Sequence, residues 1–223
     1  VKEGKARWNE LLGRVKIESD NLPKLQTFYT CLYRSLMFPR IHWEVDAKGD
    51  IVHWSPTLGD VRRGYYYAGT GFWDTFRALF PLLNFLYPEE NAKMMAGLEN
   101  CWKESGWLPE WSAPGPSNCM IGNNSASVVA DAWISGVREG YDINELYKAL
   151  IHGANNAHPE IGAVGRMGVE YYNKKGYVPR DVEINNSVSR TLEYAYNDWC
   201  IAELGKSLGK PEEEVLLYLN RSK

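Results

Sequence analysis

Apolar residues recur at helical spacing along most of this chain, and that period restricts the fold more than any other feature. From Ala126 they run through Val129, Ala130, Trp133, Ile134 and Val137, which is the i, i+3, i+4, i+7, i+8, i+11 stripe of one helix face. Gly136 and Gly140 flank its end. Val188, Leu192, Ala195, Trp199 and Ala202 alternate spacings of four and three for a second helix, and Leu146, Tyr147, Leu150, Ile151 and Ala154 mark a third. The same period predicts helices over 8–15, 24–36, 72–86 and 90–103. Pro211 followed by Glu212, Glu213 and Glu214 opens a last one, with acidic residues where the helix dipole favours them. That makes about eight helices, an all-α body. Strand alternation is confined to Trp43, Val45, Val52 and Trp54 around Lys48-Gly49-Asp50, which predicts one small hairpin inserted in it.

Two stretches rich in glycine and proline, 105–124 and 162–186, follow neither period. Irregular segments of about 20 residues inside a domain are usually functional or disordered. The first carries Trp107 and Trp111, which a disordered linker would not require. The whole chain has 223 residues, enough for a sizeable core, and a formal net charge of -3 from 25 Lys+Arg and 28 Asp+Glu. No basic surface for nucleic acid or anionic membrane follows from that balance. The longest apolar run, 78–87, is broken by Pro81 and Asn84 and falls well short of the roughly 20 residues a membrane span needs. Cys31, Cys101, Cys119 and Cys200 lack CxxC or Cys/His metal spacing, and the sequence leaves their pairing open. GxxxxGK[ST], GxGxxG and Ser-His-Asp signatures are missing, so phosphate, dinucleotide and serine-nucleophile readings fall away.

Three stretches carry residue types suited to chemistry. In Gly106-Trp107-Leu108-Pro109-Glu110-Trp111 a single carboxylate sits between a proline and an indole, a setting that removes water and raises its pKa, as a general acid needs near neutrality. The alternative is a surface Glu whose neighbours pack inward. In Phe72-Trp73-Asp74-Thr75-Phe76-Arg77, Asp74 falls in the first turn of a helix after Gly69 and Gly71. It is either a helix cap, paired with Arg77 three residues on, or an acceptor for a sugar hydroxyl beside the face of Trp73. In Cys119-Met120-Ile121-Gly122-Asn123-Asn124-Ser125, the Asn and Ser residues suit either an N-cap or a pocket edge.

Together, Tyr65-Tyr66-Tyr67-Ala68-Gly69-Thr70-Gly71-Phe72-Trp73-Asp74-Thr75-Phe76-Arg77, the Leu108-Pro109-Glu110-Trp111 stretch and Gly122-Asn123-Asn124-Ser125-Ala126-Ser127 resemble glycoside hydrolase family 92 in order and spacing. Thr27-Phe28-Tyr29-Thr30-Cys31-Leu32-Tyr33-Arg34-Ser35 and Tyr194-Ala195-Tyr196-Asn197-Asp198-Trp199-Cys200 extend the similarity over nearly the whole chain. The resemblance implies a calcium-dependent, inverting exo-α-mannosidase acting on mannose-containing glycans, with an α-1,2 linkage expected, secreted or periplasmic. It implies an N-terminal β-sandwich and a catalytic (α/α)6 toroid of helical hairpins, of which residues 1–223 would be the N-terminal part; the β-sandwich and the C-terminal helices are absent from this chain. By similarity Glu110 is the general acid, and Trp73, Asp74, Arg77, Trp111 and Asn123 contact the substrate. Members that cleave mannosyl phosphodiesters tend to carry Gln at the position of Glu110, so an ordinary glycoside is expected.

Inversion needs a second carboxylate as base, which the family places in a late Gly-Asn-Asp-Asp motif. This chain offers only Tyr196-Asn197-Asp198, in a different context, and no metal ligands of the family's Glu-Gly-Asn kind. A fragment is therefore expected, holding the acid without base or calcium, that alone neither hydrolyses an aryl α-mannoside nor binds calcium tightly and that exposes apolar helix faces. Two rival readings remain: a tetratricopeptide-like binding module, suggested by Trp199, Leu204-Gly205, Leu208-Gly209 and Pro211, and another α/α-toroid carbohydrate-active enzyme. No comparable block recurs about 34 residues earlier, which weighs against the first.

Overall fold

The apolar periods close into helices whose breaks follow from individual residues. The computed structural model describes residues 2–223. In chain order these form α1 (Lys2–Leu12), α2 (Leu22–Ser35), β1 (Arg40–Ile41), β2 (Glu44–Val45), β3 (Ile51–Trp54), β4 (Val61–Arg63), β5 (Tyr67–Ala68), β6 (Thr70–Gly71), α3 (Phe72–Thr75) and α4 (Leu79–Leu86). They continue with α5 (Pro88–Ser105), β7 (Trp111–Ser112), α6 (Ser125–Ile134), α7 (Ile143–Asn155), α8 (Val169–Lys175), a 3-10 turn at Arg180–Val182, α9 (Ser187–Ser207) and α10 (Glu212–Arg221). Among the described residues no helix is long and apolar enough to cross a membrane.

The core is built around α6. Its Ala126, Val128, Val129, Ala130 and Ala132 are all buried, and small side chains there let α4, α5, α7 and α9 approach closely. Phe80, Leu83, Met95, Leu146, Leu150 and Ile201 fill the space between. Consecutive helices pack in pairs, α4 with α5, α6 with α7 and α9 with α10.

Several boundaries depart from the periodic reading. Residues 72–86 are not one helix: the backbone breaks at Ala78 (φ −139°) between α3 and α4. In a continuous helix Pro81 would leave the Arg77 carbonyl without a donor; after the break it sits in the first turn of α4, where its missing N–H has no helical partner to lose. Pro23 and Pro88 likewise start α2 and α5 two residues earlier than the period suggests, and Asn21 Oδ1 accepts the Lys24 N–H at 3.1 Å to cap α2. Helix α1 spans Lys2–Leu12 rather than 8–15, because its first turns are polar and carry no apolar period. The stretch 162–186 holds α8, bounded by Gly168 and Gly176 at φ 78° and 79°, a conformation that favours glycine at helix ends.

The largest reversal concerns α9. Most of its apolar stripe faces outward, with Val188 71% and Leu192 66% exposed and Trp199 also exposed, while Ala202 at its end is buried. The buried face carries Arg190, Tyr194, Asn197, Asp198, Ile201 and Leu204, which repeat at the same helical spacing. Periodicity identifies two faces, and here the inner one is polar because its polar groups find partners inside the protein.

The strands form three small sheets rather than one hairpin. The expected pairing of β2 with β3 is present, with Glu44 opposite Val52 and Val45 opposite Ile51, and β4 adds a third strand whose exposed Val-Arg-Arg sequence gave no alternation signal. Buried His53 on β3 bonds Gly64 O through Nδ1 (2.9 Å) and Glu104 Oε1 of α5 through Nε2 (2.8 Å), fastening this sheet to the helical body. The pairs β1–β5 and β6–β7 make the other two sheets. All four cysteines are free.

Candidate active site

The β6–β7 pair joins two of the three motif stretches. Gly71 lies opposite Trp111 and Thr70 opposite Ser112, and the pairing extends outward through Phe72 N–H to Glu110 O (3.0 Å) and Gly69 N–H to Ser112 O (2.6 Å). The Trp111 ring lies against Gly71, where a Cβ would overlap it. Glycine is needed at this point for close approach. The half-buried Trp111 also anchors the following loop, its carbonyl accepting from Ser117 N–H (3.1 Å) and Oγ–H (3.0 Å).

This pairing delivers the Glu110 carboxyl to the N-terminus of α6, where the third motif stretch ends. Glu110 is 1% exposed. Its Oε2 accepts the backbone N–H of Asn124 (2.6 Å) and of Ser125 (3.3 Å); its Oε1 accepts Ser125 Oγ–H (2.8 Å) and Asn123 Nδ2–H (3.2 Å). Neither Asn124 nor Ser125 caps α6 with its own side chain, contrary to the simplest reading of the sequence. A carboxyl from 14 residues upstream takes the free amides instead, as an anion at a helix N-terminus does. Burial pushes the Glu110 pKa up to about 7, against the opposing hydrogen bonds from Ser125, Asn123 and the two amides. The direction is the one its Pro-Glu-Trp setting implies.

Asn123 is buried and doubly engaged, its amide side chain on Glu110 and its backbone N–H on Asn197 Oδ1 (2.8 Å). Asn197 Nδ2–H in turn donates to Asn124 Oδ1 (3.1 Å). Asn197 thus holds the turn that presents the amides to Glu110, a role the sequence reading missed. The available signal is its place on the buried face of α9, four residues after Glu193 and three after Tyr194.

Trp73 and Arg77 form a second, more open group around Glu193. Trp73 Nε1–H donates to Glu193 Oε1 (3.0 Å), Arg77 Nη2 donates to the same oxygen (3.2 Å), and the Arg77 guanidinium lies 4.9 Å from the centre of the Trp73 ring. Arg77 also donates to the Trp73 carbonyl. The expected Asp74–Arg77 pair is replaced by Arg77–Glu193, because α9 brings a carboxylate to the guanidinium from outside its own helix. Asp74 makes no cap either; Gly71 occupies the N-cap of α3, and Asp74 is exposed. Glu193 is the other residue that sequence reasoning missed. Trp107 stands apart from both groups, its ring between His152 (4.3 Å) and His158 (5.0 Å).

Asp198 is fully buried, with Oδ1 on Arg166 Nη1 (2.6 Å) and Oδ2 on Arg221 Nε (2.9 Å). Both oxygens are thereby committed to guanidinium groups. Among the described residues no three His, Cys, Asp or Glu side chains converge to hold a metal ion.

Known proteins match nearly the whole length of the chain. An inverting mannosidase of family GH92 from Bacteroides thetaiotaomicron is 46% identical and superposes with a TM-score of 0.94 over 99% of this chain and 30% of its own. A GH92 α-mannosidase from the same organism is 32% identical with a TM-score of 0.86, over 99% of this chain and 29% of its own. An uncharacterized secreted glycosidase of Arthroderma benhamiae is 27% identical over 99% of this chain. The chain thus spans about a quarter to a third of the length of these relatives. The glycosyl hydrolase family 92 catalytic domain matches residues 1–223 from end to end, and the chain belongs to that family.

Proposed function

We propose that this chain is part of a secreted glycosidase that releases terminal α-linked mannose, in an α-1,2 linkage, from oligosaccharides or glycoproteins with inversion. The observation that carries this reading is the similarity of the whole chain to an inverting mannosidase, at 46% identity and a TM-score of 0.94. The secreted relative supports the location. The helix pairs α4/α5, α6/α7 and α9/α10 make the N-terminal part of an (α/α)6 toroid, and the base and any calcium ligands belong to the remaining length over which the relatives extend.

In this reading Trp73, Asp74 and Arg77 receive the terminal sugar. Trp111 and Asn123 frame the turn beside it. Glu110 is the proton donor to the leaving oxygen; a carboxyl with a pKa near 7 is about half protonated at neutral pH and releases its proton readily. One observation favours a second role, that of a buried anion organising α6, since both Glu110 oxygens are occupied by protein donors.

Two measurements on the full-length protein test this. Proton NMR of the sugar first released from an α-mannoside should show the β-anomer; the α-anomer, or no mannose, overturns the reading. Glu110→Gln should abolish turnover of a poor leaving group while sparing an activated aryl mannoside. Equal loss on both, with a lowered Tm, assigns Glu110 to α6 alone.

A further inference from the structure

The two oxygens of the Glu110 carboxyl have partners of different kinds. Oε2 accepts the backbone N–H of Asn124 (2.6 Å) and of Ser125 (3.3 Å), groups that only donate and that fill its two lone pairs. A proton on Oε2 would have to displace one of them. Oε1 accepts from Asn123 Nδ2 (3.2 Å), which also only donates, and from the Ser125 hydroxyl (2.8 Å), which donates or accepts as its hydrogen turns. Ser125 is thus the one partner that suits the carboxyl in both protonation states. Burial makes this matter: Glu110 is 1% and Ser125 0% exposed, and a buried polar group that loses its partner is costly.

The Ser125 hydroxyl is directed to Glu110 and does not cap α6. Two residues on, Ser127 is a buried serine of another kind, whose Oγ–H donates to Asn124 O (2.7 Å) within the first turn of α6. Burial raises the Glu110 pKa, and the Ser125 hydroxyl is the strongest of the bonds that oppose it.

We propose that Ser125 is the positioning residue of the acid, its hydroxyl keeping the proton on Oε1 and stabilising that oxygen once the proton has left. The proposal rests on the reading of Glu110 as proton donor and adds which oxygen donates and what steadies it. With Glu110 protonated, Ser125 Oγ accepts the Oε1 hydrogen until a leaving oxygen takes its place. As the glycosidic C–O bond breaks, its electron pair stays on the leaving oxygen, which takes the Oε1 proton. The water that attacks the sugar carbon gives its own proton to the base that inversion requires. Ser125 Oγ–H then turns to the negative charge left on Oε1, the arrangement seen in the structure.

The test compares the full-length wild type with Ser125→Ala, Ser125→Cys and Ser127→Ala, on an alkyl α-mannoside and on a dinitrophenyl α-mannoside. Ser125→Ala takes a charge-assisted bond from the carboxylate and a weaker one from the acid, so the alkaline limb of kcat/KM should move up by about one pH unit. Its kcat on the alkyl mannoside should fall about tenfold, with KM and the dinitrophenyl rate little changed. Ser125→Cys, whose thiol donates and accepts weakly, should lie between Ser125→Ala and the wild type. Ser127→Ala should lower Tm as Ser125→Ala does, yet keep the wild-type limb and leaving-group ratio. Equal loss on both substrates in Ser125→Ala, a limb that stays or moves down, or a limb that moves equally in Ser127→Ala overturns the positioning role while the enzyme reading stands. If Glu110→Gln itself shows no difference between the leaving groups, the acid assignment falls and this proposal with it. Should Ser125→Ala fail to fold, Ser125→Cys decides alone.

Discussion

Glu110 Oε2 accepts the Asn124 backbone N–H at 2.6 Å, so a side chain from one motif ends a helix that begins in another. The carboxyl is almost wholly enclosed, and its pKa rises from the model-compound 4.5 to about 7 because burial outweighs the four donors. A raised pKa means that the folded state binds the proton more tightly than the unfolded state. Its contribution to stability is thus complete below pH 4.5 and is lost as pH rises toward 7. Relative to Glu110→Gln, the wild-type chain should lose on the order of 3 kcal/mol of unfolding free energy across that window. Urea unfolding at pH 4.5, 5.5 and 7.5 measures the difference; a difference that stays flat with pH contradicts the buried-acid geometry.

The join between the first two motifs depends on Gly71. A methyl group there would overlap the Trp111 ring, so Gly71→Ala should cost about 1–3 kcal/mol. In a Trp111→Ala background the ring is gone, and most of that added cost should vanish. A double-mutant cycle by thermal unfolding reads the coupling. Simple additivity of the two losses would show that the ring does not pack on Gly71.

Much of this arrangement is legible in the sequence, for identifiable reasons. Helix α6 follows from a small apolar stripe, and the raised pKa of Glu110 follows in direction from its Pro-Glu-Trp setting. What the sequence hides is the partner of each face. The outward stripe Val188, Leu192 and Trp199 and the inward stripe Arg190, Tyr194, Asn197 and Ile201 share one period, and hydropathy marks only the outward one. Glu193 and Asn197 escape notice for the same reason, since their roles are made by contacts with Trp73 and Asn123, respectively 120 and 74 residues away. Local spacing carries no record of such contacts. It also proposes the Asp74–Arg77 pair, which loses to a carboxylate supplied by α9.

Asp198 should be the most sensitive polar position in the chain. It neutralises Arg166, which is fully buried, and Arg221, which is mostly buried, while Tyr172 and Tyr194 rings lie 5.8 and 5.1 Å from the Arg166 guanidinium. Asp198→Asn removes the one carboxylate and leaves two cations sharing a site of low polarity, at an expected cost of about 3–5 kcal/mol. Guanidinium chloride unfolding should show a lower midpoint at unchanged slope. A loss below about 1 kcal/mol, the value of an exposed pair, would mean that water reaches the cluster.

Glu193 couples α9 to Trp73 and Arg77, the residues proposed to receive the sugar, and its removal separates positioning from chemistry. Its Oε1 takes both Trp73 Nε1–H and Arg77 Nη2–H, so Glu193→Ala frees the indole and the guanidinium together. A hydrogen bond to a charged group contributes about 1.5–3 kcal/mol, which corresponds to a KM for an α-mannoside raised about tenfold or more in the full-length protein. Glu193 touches neither Glu110 nor its donors, so kcat should fall much less than KM rises. Glu193→Gln keeps an acceptor for Trp73 Nε1–H but loses the ion pair with Arg77, and its KM should lie between those of the wild type and Glu193→Ala. Steady-state kinetics on all three proteins decide the matter: an unchanged KM in Glu193→Ala, or a fall confined to kcat, would show that Trp73 and Arg77 hold their places without it.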